Sequence, residues 1–230
     1  MLIDMIRNVL GGQPMKLSEV LPQILATLFI IFCILPLHEC AHAWASSKLG
    51  DNTARYQGRL TLNPLASFDP VGSLFLLLFG FGWAKPVPID SRNFKRPRRD
   101  VALSSLAGPM SNFLAALVGA LVLVGVYVGS GHDMPEILYY FLQYYILINV
   151  ALAVFNLIPL PPLDGSKILG AFLSPRALYS YYRYQNIIVL IAFVVLFSGA
   201  LNVPLGWLNS MCYNAVLWLG QLPYELFGLL

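Results

Sequence analysis

The chain has 230 residues, 58% of them apolar and 11% charged, with a formal net charge of +3. Soluble domains carry about 25% charged residues, so a single water-soluble globule could not cover this apolar mass. The hydrophobicity excludes a disordered chain, and the small net charge with no basic face excludes a nucleic-acid binder, which leaves a polytopic membrane protein.

Residues 1–19 include Asp4, Arg7, Lys16 and Glu19 and read as an N-terminal interfacial segment rather than a cleavable leader. A helix needs about 20 apolar residues to cross the hydrocarbon core. The first span runs from about Val20 to Leu49 and carries Pro36, His38, Glu39 and His42. The next apolar stretch, Val71 to Trp83, is short: as a helix it rises about 20 Å against a core of about 30 Å. Its Gly72, Gly80 and Gly82 weaken a helix further, so it is expected to be re-entrant or interfacial. Further spans are expected over Val101 to Gly129, Ile137 to Ile158, Ile187 to Leu201 and Leu205 to Leu222. The expected fold is thus an all-α polytopic membrane protein of about five transmembrane helices, with one membrane domain over 20–222 and a tail over 223–230.

Positive residues collect in cytoplasmic loops. With Val71 to Trp83 entering and leaving on one side, Lys48, Arg55, Arg59 and Lys85 share that side with Arg92, Lys95, Arg96, Arg98 and Arg99, and later with Lys167, Arg176 and Arg183. The opposite loop, Ser130 to Glu136, has no Lys or Arg. Cys33, Cys40 and Cys212 form no C-x-x-C pair, which argues against a disulfide framework or a Cys-only zinc site.

His38-Glu39-Cys40-Ala41-His42 is an H-E-x-x-H motif. Positions i and i+4 share a helix face, so both imidazoles can bind one metal, with Glu39 about 100° round from His38 and within reach of a metal-activated water. Ionisable residues in an apolar span are costly and are functional by default. A structural alternative is a hydrogen-bonded polar cluster between helices. A third ligand is required. Asp164 is the better placed, after prolines that break a long apolar helix and before Gly165; alone it would read as a helix cap. Asp69, before Pro70, competes, although an Asp-Pro pair more often starts a turn. His132 falls in the opposite loop and reads as a solvated residue.

The chain resembles the site-2 proteases, the intramembrane zinc metalloproteases, and is most similar to small bacterial members without a PDZ or CBS domain. The resemblance covers roughly Pro36 to Gly170. It rests on His38 to His42; on Asn63-Pro64 with Asp69-Pro70-x-Gly72; on Gly82-Trp83-Ala84-Lys85-Pro86-Val87-Pro88; on Ala107-Gly108-Pro109-Met110-Ser111-Asn112; and on Leu163-Asp164-Gly165 preceded by Asn156 and Pro159. It implies that His38, His42 and Asp164 bind Zn2+, that Glu39 is the general base, and that the catalytic core lies within about 20–173. It also implies that Asn156 contacts the substrate backbone. The stretch Gly82 to Pro88 resembles the family's small β-element, which presents an edge to an unwound substrate and would set Trp83, Lys85 and Val87 against it. Ser67 stands where family members often have His.

Gly108 and Pro109 read as a site of close helix packing near these residues, with a catalytic role for Asn112 as the lesser alternative. The expected function is an intramembrane zinc endopeptidase acting on transmembrane protein substrates in the lipid bilayer. Its expected location is a bacterial inner membrane, with the site nearer the cytoplasmic side and apolar faces that permit a homo-oligomer. The alternative is a non-catalytic membrane scaffold or a metal-handling transporter on the same ligands. Glu39 discriminates, since hydrolysis needs a base and storage does not; a transporter would also be expected to show inverted repeats, and none are apparent.

Overall fold

The computed structural model describes residues 17–229, so most of the N-terminal segment expected over 1–19 lies outside the described residues. The helices are α1 (Leu17–Phe29), α2 (Leu35–Leu49), α3 (Thr53–Tyr56), α4 (Pro64–Ser67), α5 (Pro70–Phe79), α6 (Pro97–Gly129), α7 (Glu136–Asn156), α8 (Asp164–Phe172), α9 (Pro175–Arg183), α10 (Gln185–Phe197) and α11 (Asn202–Leu226). Among the described residues there is no β-strand.

Among the described residues, three helical stretches are long and apolar enough to cross a membrane: Val20–Leu49, Pro97–Gly129 and Glu136–Asn156. The first is continuous through a π-helical turn, Ile30–Ile34, that joins α1 to α2. Pro36 follows directly, and a proline cannot donate to the carbonyl four residues back, so a widened turn sits where the regular ladder is interrupted. The motif His38 to His42 begins one turn later. Gly50, at φ +117°, stops α2, and its N–H bonds the Ser46 and Ser47 carbonyls.

The three long helices pack on two apolar clusters. Ile30, Ile34 and Leu35 meet Ala115, Ile148 and Leu152; farther along, Ala116, Ala120 and Leu123 meet Leu142, Ile146 and Val150. Small residues let α6 approach closely: a Cβ at Gly119 would lie 2.6 Å from the Tyr145 ring. The outward face of α6 carries exposed Leu103, Met110, Leu114, Val118 and Val122, as a lipid-facing surface requires.

The short stretch after Asp69 is a helix of 10 residues, α5. The chain reverses at Gly80 (φ +84°) and runs back, so that Gly72 and Trp83 touch: a Cβ at Gly72 would lie 2.1 Å from the Trp83 carbonyl oxygen. Residues 81–90, where the small β-element was expected, are extended but form no ladder. Pro86 and Pro88 have no N–H to give, and the donors that alternate with them turn elsewhere: Lys85 N–H to the Ser67 carbonyl at 2.9 Å and Val87 N–H to Glu39 at 3.0 Å.

The C-terminal pair also differs from expectation. Helix α11 runs from the end where α7 stops, where Asn202, Leu205 and Asn209 share a cavity with Leu152 and Phe155, toward the other end of α6. There Gly220 packs on Ala120 and the Tyr224 hydroxyl donates to the Leu121 carbonyl at 2.9 Å. Between these ends the Tyr213 hydroxyl donates to Gln143. Helix α10, expected as a crossing over Ile187 to Leu201, has 13 residues, and Val189, Ala192, Phe193 and Leu201 all line a cavity with Phe155 and Leu160 to Leu163. Its middle, and Leu201 just beyond its end, thus both lie beside the C-terminal end of α7. Its apolarity meets the requirement for a span, but its length does not, and α11 must begin at the same end for Gly220 to reach Ala120.

Candidate active site

Helix α2 places His38 and His42 one turn apart with their Nε2 atoms 3.0 Å from each other. Asp164, the first residue of α8, brings Oδ2 to 3.1 Å from His42 Nε2 and 3.3 Å from His38 Nε2. All three side chains are buried. These are spacings expected around one cation, since donors at about 2.0 Å in a tetrahedron lie about 3.3 Å apart.

The far sides of the rings decide the fit to a metal. His42 Nδ1 lies 2.8 Å from the Ser104 carbonyl oxygen, which can only accept, so Nδ1 carries the proton. His38 Nδ1 lies 2.7 Å from Asn112 Oδ1 and donates in the same way. In the neutral rings both Nε2 lone pairs therefore converge on a carboxylate oxygen. Three electron-pair donors about 3 Å apart in a buried site repel one another unless a cation lies among them. The donor set, two imidazole nitrogens and a carboxylate oxygen, suits Zn2+.

Glycine makes both walls possible. A Cβ at Gly108 of α6 would lie 2.3 Å from His42 Nε2 and 2.6 Å from His38 Nε2, so α6 rests directly on the imidazoles. A Cβ at Gly165 would lie 2.3 Å from the Leu157 carbonyl oxygen and 2.4 Å from that of Ile158, so α8 starts against the unwound end of α7. Asp164 also meets Lys167, whose Nζ lies 3.4 Å from Oδ1, the oxygen turned away from the rings.

Together with chain similarity, this geometry identifies the family. Residues 124–199 match Peptidase family M50. A Bacillus subtilis (strain 168) protein named "Putative zinc metalloprotease YwhC" is 40% identical over 195 residues, covering 82% of this chain and 86% of that one. The chain belongs to peptidase family M50. A Mycolicibacterium smegmatis relative carrying the zinc metalloprotease name Rip2 is 29% identical, over 78% of this chain and 68% of that one. "Zinc metalloprotease MJ0392" of Methanocaldococcus jannaschii is 28% identical, over 77% of this chain and 44% of its own length. No solved structure matches the chain significantly. As a member of M50, the site-2 protease family, this protein is a zinc metalloendopeptidase, and its long apolar helices make it an integral membrane protein.

The remaining expected residues of the M50 site fall in different places. Glu39 is buried and accepts the Val87 N–H at Oε2. It lines a cavity of about 200 Å³ that it shares with His38, His42, Asp164, Asn156 and Trp83. Asn156 donates through Nδ2 to the Leu152 carbonyl at 3.0 Å. Val87 and Lys167 line the same cavity, whereas Lys85 is exposed and does not. The Lys85 backbone is the anchored part, its carbonyl accepting from Arg59 at 2.5 Å. Asp69 is absent from the site: it caps α5, accepting the Gly72 N–H at 2.8 Å. His132, in the loop after α6, packs edge-on against Tyr127.

Sequence reading missed the Ser104 carbonyl and the Val87 amide, because a backbone group leaves no signature in residue type. It also missed Asp51, which fixes the extended segment at its far end. Asp51 Oδ2 accepts the Asp90 N–H at 2.8 Å, and Oδ1 accepts from Thr53 and from Asn93 Nδ2 at 2.9 Å. Burial pushes the Asp51 carboxyl up, but these hydrogen bonds outweigh it and hold it below the usual carboxylate range. The half-buried Asp90 is lowered to about 2 by its hydrogen bonds to Arg92.

Proposed function

We propose that this M50 peptidase cleaves peptide bonds in or near transmembrane segments of membrane protein substrates, with Glu39 as the general base. The supporting observation is the convergence of two Nε2 lone pairs and the Asp164 carboxylate beside Glu39 in one cavity within an apolar helical body. When bound, Zn2+ supplies Lewis acidity that makes water nucleophilic near neutral pH and polarises the scissile carbonyl.

The chain's own groups do the rest. His38 and His42 would hold the metal through Nε2, kept in that tautomer by Asn112 and the Ser104 carbonyl. Asp164 binds through Oδ2 while Lys167 occupies the side of Oδ1. The Val87 amide holds Glu39 Oε2, leaving Oε1 to take the proton of the attacking water and pass it to the leaving amine. Asn156, with Nδ2 committed to Leu152, offers its carbonyl oxygen to a substrate N–H. Trp83 and Val87 flank an unwound substrate that lies along residues 84–89, with Lys85 at the rim.

In this reading the three long helices and α11 cross the bilayer, α5 is re-entrant, and α10 lies at the active-site end; four crossings replace the five expected. Basic residues gather at that end, from Lys48 through Arg99, so it faces the cytoplasm of a bacterial cell under the positive-inside rule. The exposed apolar helix faces meet lipid and permit self-association.

The test is cleavage of single-span membrane proteins in proteoliposomes by the wild type, Glu39→Gln and Asp164→Asn, with a chelator control. Loss of cleavage in Glu39→Gln with zinc retained supports the reading. Near-wild-type cleavage by that variant sinks the base assignment.

A further inference from the structure

Away from the active site, a second cavity of about 410 Å³ opens where the first long span ends and the second begins. Lys48, in the last turn of α2, forms one wall; Lys95, Arg96 and Arg99, around the start of α6, form the other. Among the described residues, none of these four cationic side chains has a hydrogen bond or ion pair. Their neighbour Arg98 differs, donating to the Leu173 carbonyl at 3.4 Å. The single acid in the cavity, Asp100, is buried and is occupied in accepting the Arg96 N–H at 2.9 Å. Helix α6 also begins without a side-chain cap, so its first-turn amides add partial positive charge. Four unpaired cations around a hollow repel one another, and an anion relieves that repulsion.

The surroundings say which anion. Below Arg99 on the same face of α6, at helical spacing, lie Leu103, Met110 and Leu114, all exposed. One turn before Lys48 on α2 lies Trp44, which is 57% exposed, a side chain suited to the membrane interface. A cationic hollow at the head of an exposed apolar stripe matches a molecule with an anionic phosphate at one end and acyl chains at the other.

We infer that this cavity binds the headgroup phosphate of an anionic phospholipid, with Lys48, Lys95, Arg96 and Arg99 as its cationic ligands and the α6 stripe as the acyl track. The site is distinct from the zinc cluster and does not depend on the proposed substrate.

The experiment measures lipid binding to the purified full chain in mixed micelles and nanodiscs, using phosphatidylglycerol, phosphatidylcholine and inorganic phosphate as separate probes. Each cation near an anionic surface contributes enough that Lys95→Gln/Arg96→Gln/Arg99→Gln is expected to weaken phosphatidylglycerol binding about a hundred-fold. Lys48→Gln, on the other wall and outside the α6 first turn, is expected to weaken it about five-fold and guards against a misfolded triple variant. Arg55→Gln/Arg176→Gln/Arg183→Gln removes the same charge elsewhere and is expected to bind as the wild type does. Equal losses in the two triple variants would show a net-charge effect and overturn the site. So would unchanged binding in both Lys48→Gln and the first triple variant, equal binding of phosphatidylcholine, or displacement of the lipid by millimolar inorganic phosphate.

Discussion

The two walls of the zinc site are built on different principles. The α2 wall would supply two ligands and the proposed base from five consecutive residues on one continuous helix, and its imidazoles are locked from behind by Asn112 and the Ser104 carbonyl. The α8 wall takes one ligand from 122 residues farther along, at the first position of a 9-residue helix that follows a proline-broken turn. The first wall owes its geometry to helical periodicity, the second to where a broken chain is made to land. Substitutions on the first wall should therefore act through chemistry and ring orientation, and those on the second through placement.

The largest effect tests the chemical side. Glu39→Gln is expected to lower kcat by about 10²–10⁴-fold with zinc content unchanged, measured by single-turnover cleavage beside metal analysis. If zinc is lost in parallel, Glu39 belongs with the ligands and the contrast between the walls is drawn wrongly. Next come the two glycines. Gly108→Ala drives a methyl group into both Nε2 atoms, so zinc content should fall sharply, with a stability cost of about 1–3 kcal/mol. Gly165→Ala pushes α8 off the Leu157 and Ile158 carbonyls at a similar stability cost, but it displaces one ligand of three and should leave weak zinc binding. Equal zinc loss in the two would erase the distinction.

A smaller effect is expected behind the rings. Asn112→Ala removes the acceptor that fixes the His38 tautomer and should weaken zinc affinity about 10–100-fold, read by competition with a chromogenic chelator. The smallest lies outside the site. Asp51 ionises lower in the folded chain than the unfolded value of about 3.9, so its contribution to stability is complete above that pH and is lost as pH falls through the folded value. Asp51→Asn should flatten this acid limb of the thermal-unfolding profile between about pH 5 and 2. An unchanged limb would mean that the extended segment is not held by this carboxylate.

Much of the α2 wall was legible in the sequence because an i, i+4 pair within an apolar run needs only the local period to be read. Asp164 was legible as the better placed of two acids near a membrane segment, because prolines break the helix before it and Gly165 follows, whereas Asp69 before Pro70 reads as the start of a turn. Close helix packing at Gly108 was legible, but not that it falls on the imidazoles, and the contact of Gly72 with Trp83 was visible only as a glycine in a motif. The fate of Ile187 to Leu201 was misread because apolarity reports preference for lipid, whereas the direction of a helix is set by its neighbours. Here the deciding contacts are those of the next helix, α11, whose Gly220 meets Ala120 and whose Tyr224 meets Leu121, so that the chain after Leu201 must start from the end where α7 stops.

By itself the sequence determined that this chain lives in a bilayer, that His38, Glu39 and His42 of an H-E-x-x-H motif share one helix, and which end of the body is basic. These properties follow from composition and from periods of a few residues. The tertiary structure alone decided that Asp164 meets the two rings, that both ring protons face away from Asp164, and that α10 stops after 13 residues. Each of these depends on groups far apart in the chain, several of them backbone carbonyls and amides that every residue possesses.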